Sequence, residues 1–453
     1  MAILSATLLL AACGGERSEG AGSSGAAADW PAYGLDHANS VHELTETTIS
    51  PENVAGLRES WRVDVGGVTG TPAVVDGVVY VADWHGVVRA MDADDGELVW
   101  EERLAEVPFS ASVAVTDGLV VAGDLGGVLH AVDRATGDPV WSANVEPRGA
   151  SLFASPVVIE DTVVIGMTDT ELGPDDPGFR ASVVALDIGD GSERWRLYTD
   201  PEDDGSGTWV SVWSSVAYDP GRGLLFVGTG DANQPGSGGP GSPSERARTD
   251  LPLANGVLAI EWESGRIAWF LKLVEAPGRD LDVGASPNLF TVGDRDVVGA
   301  GGKSGDYVVL DRDTGELIWK VHLTEGSAGG GVMSTAAVGD GVIYVASNAG
   351  GVTGIIFALD ARDGSILWER ELDGPVYGGS MALANGVLYR GTWGGTVMAL
   401  DADDGAVLWT DDLDAPIGGG FSVADGTLYV GYGSGAPGGL GPVDGGLIAY
   451  RIP

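Results

Sequence analysis

Cysteine is almost absent. The chain of 453 residues has one, Cys13, so no intramolecular disulfide can form and the body is held by packing and hydrogen bonds alone. Lysine is nearly as scarce, with Lys272, Lys303 and Lys320 the only three. The five histidines (His37, His42, His85, His130 and His322) are scattered without metal-ligand spacing. No segment approaches the ~20 apolar residues of a membrane span. There is no Cys-x-x-Cys-His for covalent haem, no adjacent cysteine pair, no Gly-x-Ser-x-Gly and no phosphate loop, which removes support from hydrolase and nucleotide-dependent readings. Basic residues are outnumbered 66 to 24, and a net charge of −42 repels nucleic acid and anionic lipid. So acidic and lysine-poor a surface suits a high-salt habitat, where ions screen the self-repulsion; lineage bias in codon use is the alternative.

Glycine is abundant, at 74 residues, and short Val/Ile/Leu/Tyr runs end in Asp-Gly, Asn-Gly or Gly-Gly, the mark of many hairpins and few helices. One phrase recurs seven times: Ala90-Met-Asp-Ala-Asp-Asp-Gly-Glu-Leu-Val-Trp100, then again ending at Trp141, Trp195, Trp269, Trp319, Trp368 and Trp409. Counted from Trp61, the spacings are 39, 41, 54, 74, 50, 49 and 41, the period of a four-stranded propeller blade. Blade one unpacks as Thr71 to Val75, Val78 to Ala82, Val87 to Met91 and Leu98 to Trp100. Each tryptophan falls on the outer strand, where its indole can lie flat against the glycine of a neighbouring repeat, and the Asp can bond amides of its own turn.

Trp61 lacks the preceding phrase, and the chain beyond Trp409 supplies only three strands, Ile417 to Val423, Thr427 to Tyr432 and Gly446 to Ile452. The early strand around Glu59–Asp64 can complete that last blade. The expected fold is therefore all-β: an eight-bladed propeller of four-stranded antiparallel blades with tryptophan-docking repeats, closed by pairing the two ends of the chain.

Cys13 follows Leu10-Ala-Ala12 and an apolar run from Leu4, and precedes a Gly/Ser/Ala-rich stretch from Gly14 to Ala28. This resembles a bacterial lipoprotein signal, with 1–12 removed, lipid on the Cys13 thiol, 13–29 a flexible tether and 30–453 the propeller. Met1 to Ala12 lacks the usual basic residues. The expected location is extracytoplasmic, with membrane contact only through the anchor.

The repeated Ala-x-Asp-x-x-x-Gly-x-x-x-Trp phrase resembles the quinoprotein propellers, which include the pyrroloquinoline quinone (PQQ) alcohol dehydrogenases. Trp30-Pro-Ala-Tyr-Gly34, Thr48-Ile-Ser-Pro-Glu-Asn-Val54, Thr69-Gly-Thr-Pro-Ala73 and Gly284-Ala-Ser-Pro-Asn-Leu289 are similar to the polyvinyl-alcohol dehydrogenase branch. The resemblance implies oxidation of a primary or secondary alcohol with PQQ and Ca²⁺, and a separate electron acceptor because no haem motif is present. Extra length between strands places 168–180, 198–212, 231–253 and 274–285 over one face of the central channel. There Trp213 matches the residue on which the planar cofactor stacks. Asp231 stands where the family commonly has a Ca²⁺-binding Asn, with Asp176 or Glu171 as the other metal candidate. Lys303 matches a cation that contacts the quinone oxygens, and Asp282 the base that takes the hydroxyl proton. Leu281 replaces the usual Trp before that Asp, and Gly284 stands where lanthanide-type members carry a further Asp. Trp84 and Trp393 occupy equivalent turns on the same face. The competing reading is a non-catalytic propeller lipoprotein that binds a protein or polymer through this face.

Overall fold

Asp-Gly and Asn-Gly pairs close the inner hairpins through left-handed turns, as at Asp76-Gly77 (φ 52° and 74°) and Asn385-Gly386 (φ 44° and 76°), a backbone twist that suits tight antiparallel pairing. Four of the eight inner hairpins close in this way, and all eight extend outward into antiparallel four-stranded blades. The computed structural model describes residues 29–169, 178–200, 209–233, 251–275, 280–433 and 443–453. Cys13, the expected signal peptide, all but the last residue of the expected tether, Glu171 and Asp176 lie outside the described residues.

Blade one consists of Ala73–Val75, Val78–Ala82, Val87–Asp92 and Leu98–Arg103, in that order from the axis. Blade eight is the composite expected from the sequence. Its strands Phe421–Ala424, Thr427–Tyr432 and Asp444–Arg451 come from the C-terminal end, and the outer strand Arg58–Gly66 from the N-terminal side. That pairing, with Trp61 opposite Ala449, completes blade eight and so closes the ring. Two short ribbons stand over blades three and four, Ala150–Ser151 with Thr168–Asp169 and Trp209–Val210 with Ala232–Asn233.

The repeated phrase is a docking device. Seven outer-strand tryptophans (61, 100, 141, 195, 269, 319 and 368) each donate Nε1–H to a backbone carbonyl of the next blade at 2.7–3.2 Å. Each ring lies on the glycine of that blade's turn, so close that a methyl there would stand 2.6–2.7 Å from ring carbon Cε3. The phrase's Asp bonds amides of its own turn, as Asp92 and Asp401 do. Blade eight carries no such phrase, and Trp409 instead meets Tyr450 edge-on at 4.9 Å between centroids.

A feature without any repeat signature closes the inner side. The innermost strands would each present an unpaired edge to the channel. The segment from Trp30 to Glu46 runs round them in order. It bonds Val74 of blade one through Trp30, Val115 of blade two through Pro31, Tyr218 of blade four through His37, Leu289 of blade five through Ala38, Val338 of blade six through Ser40 and Leu383 of blade seven through Val41. His37 Nε2 meets the Val158 carbonyl of blade three at 2.8 Å, and Glu46 Oε2 accepts the Gly426 N–H of blade eight at 2.9 Å. His42–Glu43 adds a short parallel fifth strand to blade seven. This strap touches all eight blades, and Trp30, fully buried, anchors its start.

Candidate functional site

The strand register defines equivalent positions in every blade. Two residues ahead of the first paired residue of the innermost strand stands a small hydroxyl residue in seven blades, Thr71, Ser112, Ser155, Ser215, Ser286, Thr335 and Ser380; in blade eight, whose pairing starts one residue earlier at Phe421, the equivalent is Gly420. Five of them, Thr71 to Ser286, are linked round the axis by four bonds, since the N–H groups of Thr71, Ser112, Ser155 and Ser215 each donate to the hydroxyl of the next blade at 2.7–3.1 Å. Tyr33 of the strap meets Thr335 at 2.8 Å and continues the circle.

Two residues further toward the mouth, the equivalent positions are Thr69, Ser110, Phe153, Trp213, Gly284, Met333, Gly378 and Gly418. Trp213 is the largest of these and reaches across to blade five. A methyl on Gly284 would lie 1.8 Å from its ring carbons, so the indole is seated on bare backbone that only glycine permits. Trp213 is half-buried.

Asp282 fixes the ring in the plane. Its Oδ2 accepts the Trp213 Nε1–H at 3.2 Å and the Lys303 ammonium at 2.8 Å, while its Oδ1 accepts the Asp231 backbone N–H at 2.6 Å. Lys303 also donates to Asp280 Oδ1 at 3.1 Å and lies 5.4 Å from the Trp213 ring centroid, within cation–π range. Burial pushes the Asp282 carboxyl up, but the Lys303 charge and hydrogen bond, with the Asp231 and Trp213 N–H groups, hold it below the usual carboxylate range. Burial likewise pulls the Lys303 ammonium down, and Asp282 and Asp280 raise it above its ordinary value. Both groups are charged at neutral pH.

Asp231 is fully buried. Its Oδ1 accepts Asn255 Nδ2 at 2.9 Å and its Oδ2 the Asp280 N–H at 2.9 Å. Four sequence-derived candidates, Trp213, Asp231, Asp282 and Lys303, thus form one connected network from blades four and five. Asp280, in the left-handed region at φ 55°, and Asn255, at φ 58°, complete it and were not singled out from the sequence. Asp280 stands two residues before Asp282, just ahead of the Gly284-Ala-Ser-Pro-Asn-Leu289 motif, and that proximity is the one sequence cue. Trp84 is buried beneath the mouth and donates to Thr69 Oγ1 at 2.8 Å. Trp393 is half-buried, edge-on to Tyr377 at 5.3 Å.

A planar anionic ligand fits these residues: a half-exposed indole held flat, with an ammonium beside it. A hard cation finds less. Among the described residues no group of three or more carboxylates and histidines converges on one point. Asn255 Oδ1, buried without a hydrogen-bond partner beside Asp231, is the oxygen that such an ion would satisfy. The six to eight oxygens that calcium takes would require more than these two side chains.

Comparison with known proteins places the chain among relatives. Residues 143–330 match the family described as "Glucose/ethanol/alcohol dehydrogenase, beta-propeller domain", and residues 352–450 match "Outer membrane protein assembly factor BamB". The chain is 28% identical over 314 residues to quinohemoprotein alcohol dehydrogenase ADH-IIG of Pseudomonas putida, covering 60% of this chain and 42% of that protein. It is 29% identical over 225 residues to a polyvinylalcohol dehydrogenase of a Pseudomonas species, covering 42% of this chain and 33% of that protein. The chain therefore spans less than half the length of these curated relatives. The solved structure of ADHIIG from P. putida HK5 shares the fold, with a TM-score of 0.79 at 22% identity over 94% of this chain and 80% of that one.

Proposed function

We propose that this eight-bladed propeller, residues 143–330 of which match a quinoprotein dehydrogenase propeller family and whose relatives are quinoprotein alcohol dehydrogenases and polyvinyl alcohol dehydrogenases, oxidises an alcohol to a carbonyl compound at the Trp213 site. The observation that carries the proposal is the convergence of Trp213, Asp282 and Lys303 at the channel mouth. Trp213 supports the flat face of the quinone, and its seat on Gly284 keeps that face level. Asp282, ionised at neutral pH, accepts the alcohol's hydroxyl proton on Oδ2. Lys303 balances the charge of that carboxylate and presents a cation to the quinone oxygens. The quinone, when bound, supplies the two-electron acceptor for the substrate's hydride. Asp231 would contribute to a Ca²⁺ site, with Glu171 or Asp176 from the neighbouring insertion. Electrons would then pass to a separate carrier outside the cytoplasm, where lipid on Cys13 would tether the protein to a membrane.

A second reading, a non-catalytic binding scaffold, is favoured by one observation, the match of residues 352–450 to an outer-membrane assembly factor. One titration separates the two: PQQ added to the protein with and without Ca²⁺, followed by tryptophan quenching, with Trp213→Ala and Asp282→Asn alongside. Saturable binding that Trp213→Ala abolishes supports the dehydrogenase, and turnover of alcohols with a dye acceptor should then fail in Asp282→Asn. No binding at high micromolar PQQ would leave the scaffold.

A further inference from the structure

Arg390 breaks the pattern of the blades. It lies on the second strand of blade seven, and the register places Val81, Ala122, Ile165, Val227, Ala300, Val345 and Val430 at the same position in the other seven blades, all of them buried. Arg390 is 1% exposed. Its guanidinium donates to the Gly379 carbonyl at 2.6 Å, the Ser334 hydroxyl at 2.9 Å and the Gly378 carbonyl at 3.4 Å, and its Nε has no partner. Among the described residues no carboxylate is paired with it. Burial draws its pKa down to about 10, so it stays charged at neutral pH. An uncompensated buried cation costs several kcal/mol. In a chain with 66 carboxylates, the missing partner is informative.

Its location suggests what balances it. Gly378 is the blade-seven equivalent of Trp213, and Ser334 adjoins Met333, the blade-six equivalent. The guanidinium therefore braces the channel wall at the level of the Trp213 ring, on the far side of the axis. Lys303 supplies a cation from blade five, but its charge is already shared by Asp280 and Asp282. Arg390 spends its hydrogen bonds on neutral groups and keeps its charge.

We infer that Arg390 is the standing counter-charge for a polyanionic planar ligand lying on Trp213, a polycarboxylated quinone in the reading above, on which this inference rests. The guanidinium acts through its field and through the two glycine carbonyls it holds; it is a positioning residue, not a catalytic one.

The test compares PQQ affinity and thermal unfolding in the wild-type protein, Arg390→Met and Arg390→Lys. A field role predicts that Arg390→Met unfolds no earlier than wild type, because the buried charge is gone, while its Kd for PQQ rises about tenfold. Arg390→Lys, which keeps the charge, should remain within about threefold of wild type. Should Arg390→Met not fold, Arg390→Gln replaces it, retaining polar contacts without charge. An unchanged Kd in the neutral variant, or equal loss in the neutral and lysine variants, overturns the inference. Absence of PQQ binding by the wild type overturns instead the quinone reading beneath it.

Discussion

Lys303 Nζ stands 2.8 Å from Asp282 Oδ2 and 3.1 Å from Asp280 Oδ1, so a single ammonium ties the two carboxylates that flank Leu281. The Lys303 side chain is only 12% exposed and that of Asp282 8%, which makes the pair a buried one.

The pH dependence follows from the directions of the two shifts. Asp282 is depressed below its ordinary 3.8, so its contribution is present above that value and lost as pH falls through the lower folded value. Lys303 is raised above its ordinary 10.5, so its contribution is present below that value and lost as pH rises through the higher folded one. Between these limits the pair adds a constant amount. Lys303→Met should cost about 3–5 kcal/mol in urea unfolding at neutral pH, because Asp282 is left buried without its counter-charge. The loss should shrink at acid pH, as the isolated carboxyl takes up a proton.

Gly284→Ala tests the seat of Trp213. A methyl 1.8 Å from the ring carbons forces the indole to move, although the blade itself can still form. The variant should keep the far-ultraviolet spectrum of the wild type, change tryptophan emission and lose PQQ quenching.

Docking can be separated from backbone strain by a pair of substitutions. Gly77 (φ 74°) faces open space, whereas a methyl on Gly137 (φ 79°) meets the Trp100 ring at 2.6 Å. Gly77→Ala should cost about 1–2 kcal/mol for the left-handed backbone alone. Gly137→Ala should cost a further ~1–3 kcal/mol from the displaced ring. Equal losses in denaturant unfolding would show that the tryptophan contributes little to blade packing.

The strap predicts a distinct phenotype. Glu46 accepts the N–H groups of Thr48, Ile49 and Gly426, and an amide in its place would turn one donor toward others. Glu46→Gln should lose about 1–3 kcal/mol of stability. Limited proteolysis should then cut between residues 30 and 50 before it cuts any blade.

Net charge sets the response to salt. At −42 the folded body repels itself, and raising NaCl from about 0.05 M to 1 M shortens the Debye length from more than 10 Å to about 3 Å. The unfolding temperature should rise across that range, and a flat profile would detach the acidic composition from a high-salt habitat.

The propeller was legible because its energetics repeat: blades one to seven each need the same turn, the same glycine and a neighbour's indole on it, and side-chain identity records all three. The composite last blade followed from counting, with Trp61 as the surplus tryptophan. Strand bounds shifted by a few residues, as where Ile417 to Val423 became Phe421–Ala424. The strap was not legible, because its bonds run largely through backbone amides and carbonyls that any sequence possesses. At the site, Trp213, Asp231, Asp282 and Lys303 were found by resemblance to a motif. Asp280 and Asn255 escaped because their roles depend on a left-handed backbone beside long insertions. Arg390 escaped for the opposite reason: one charged residue in an apolar strand reads as exposed until the register shows it facing inward.

The strap also dictates an order of events. Trp30 leaves the ribosome early, yet the Gly426 amide held by Glu46 is 380 residues further along the chain. Until blade eight exists, the strap has no last partner, and Arg58–Gly66 has no Asp444–Arg451 to pair with. A nascent chain therefore carries two unfinished edges through nearly the whole of its synthesis. Most strand pairs are local to one blade, but closure of the ring waits on Glu46 with Gly426 and Arg58–Gly66 with Asp444–Arg451, so it is expected to be the slow, late step of folding.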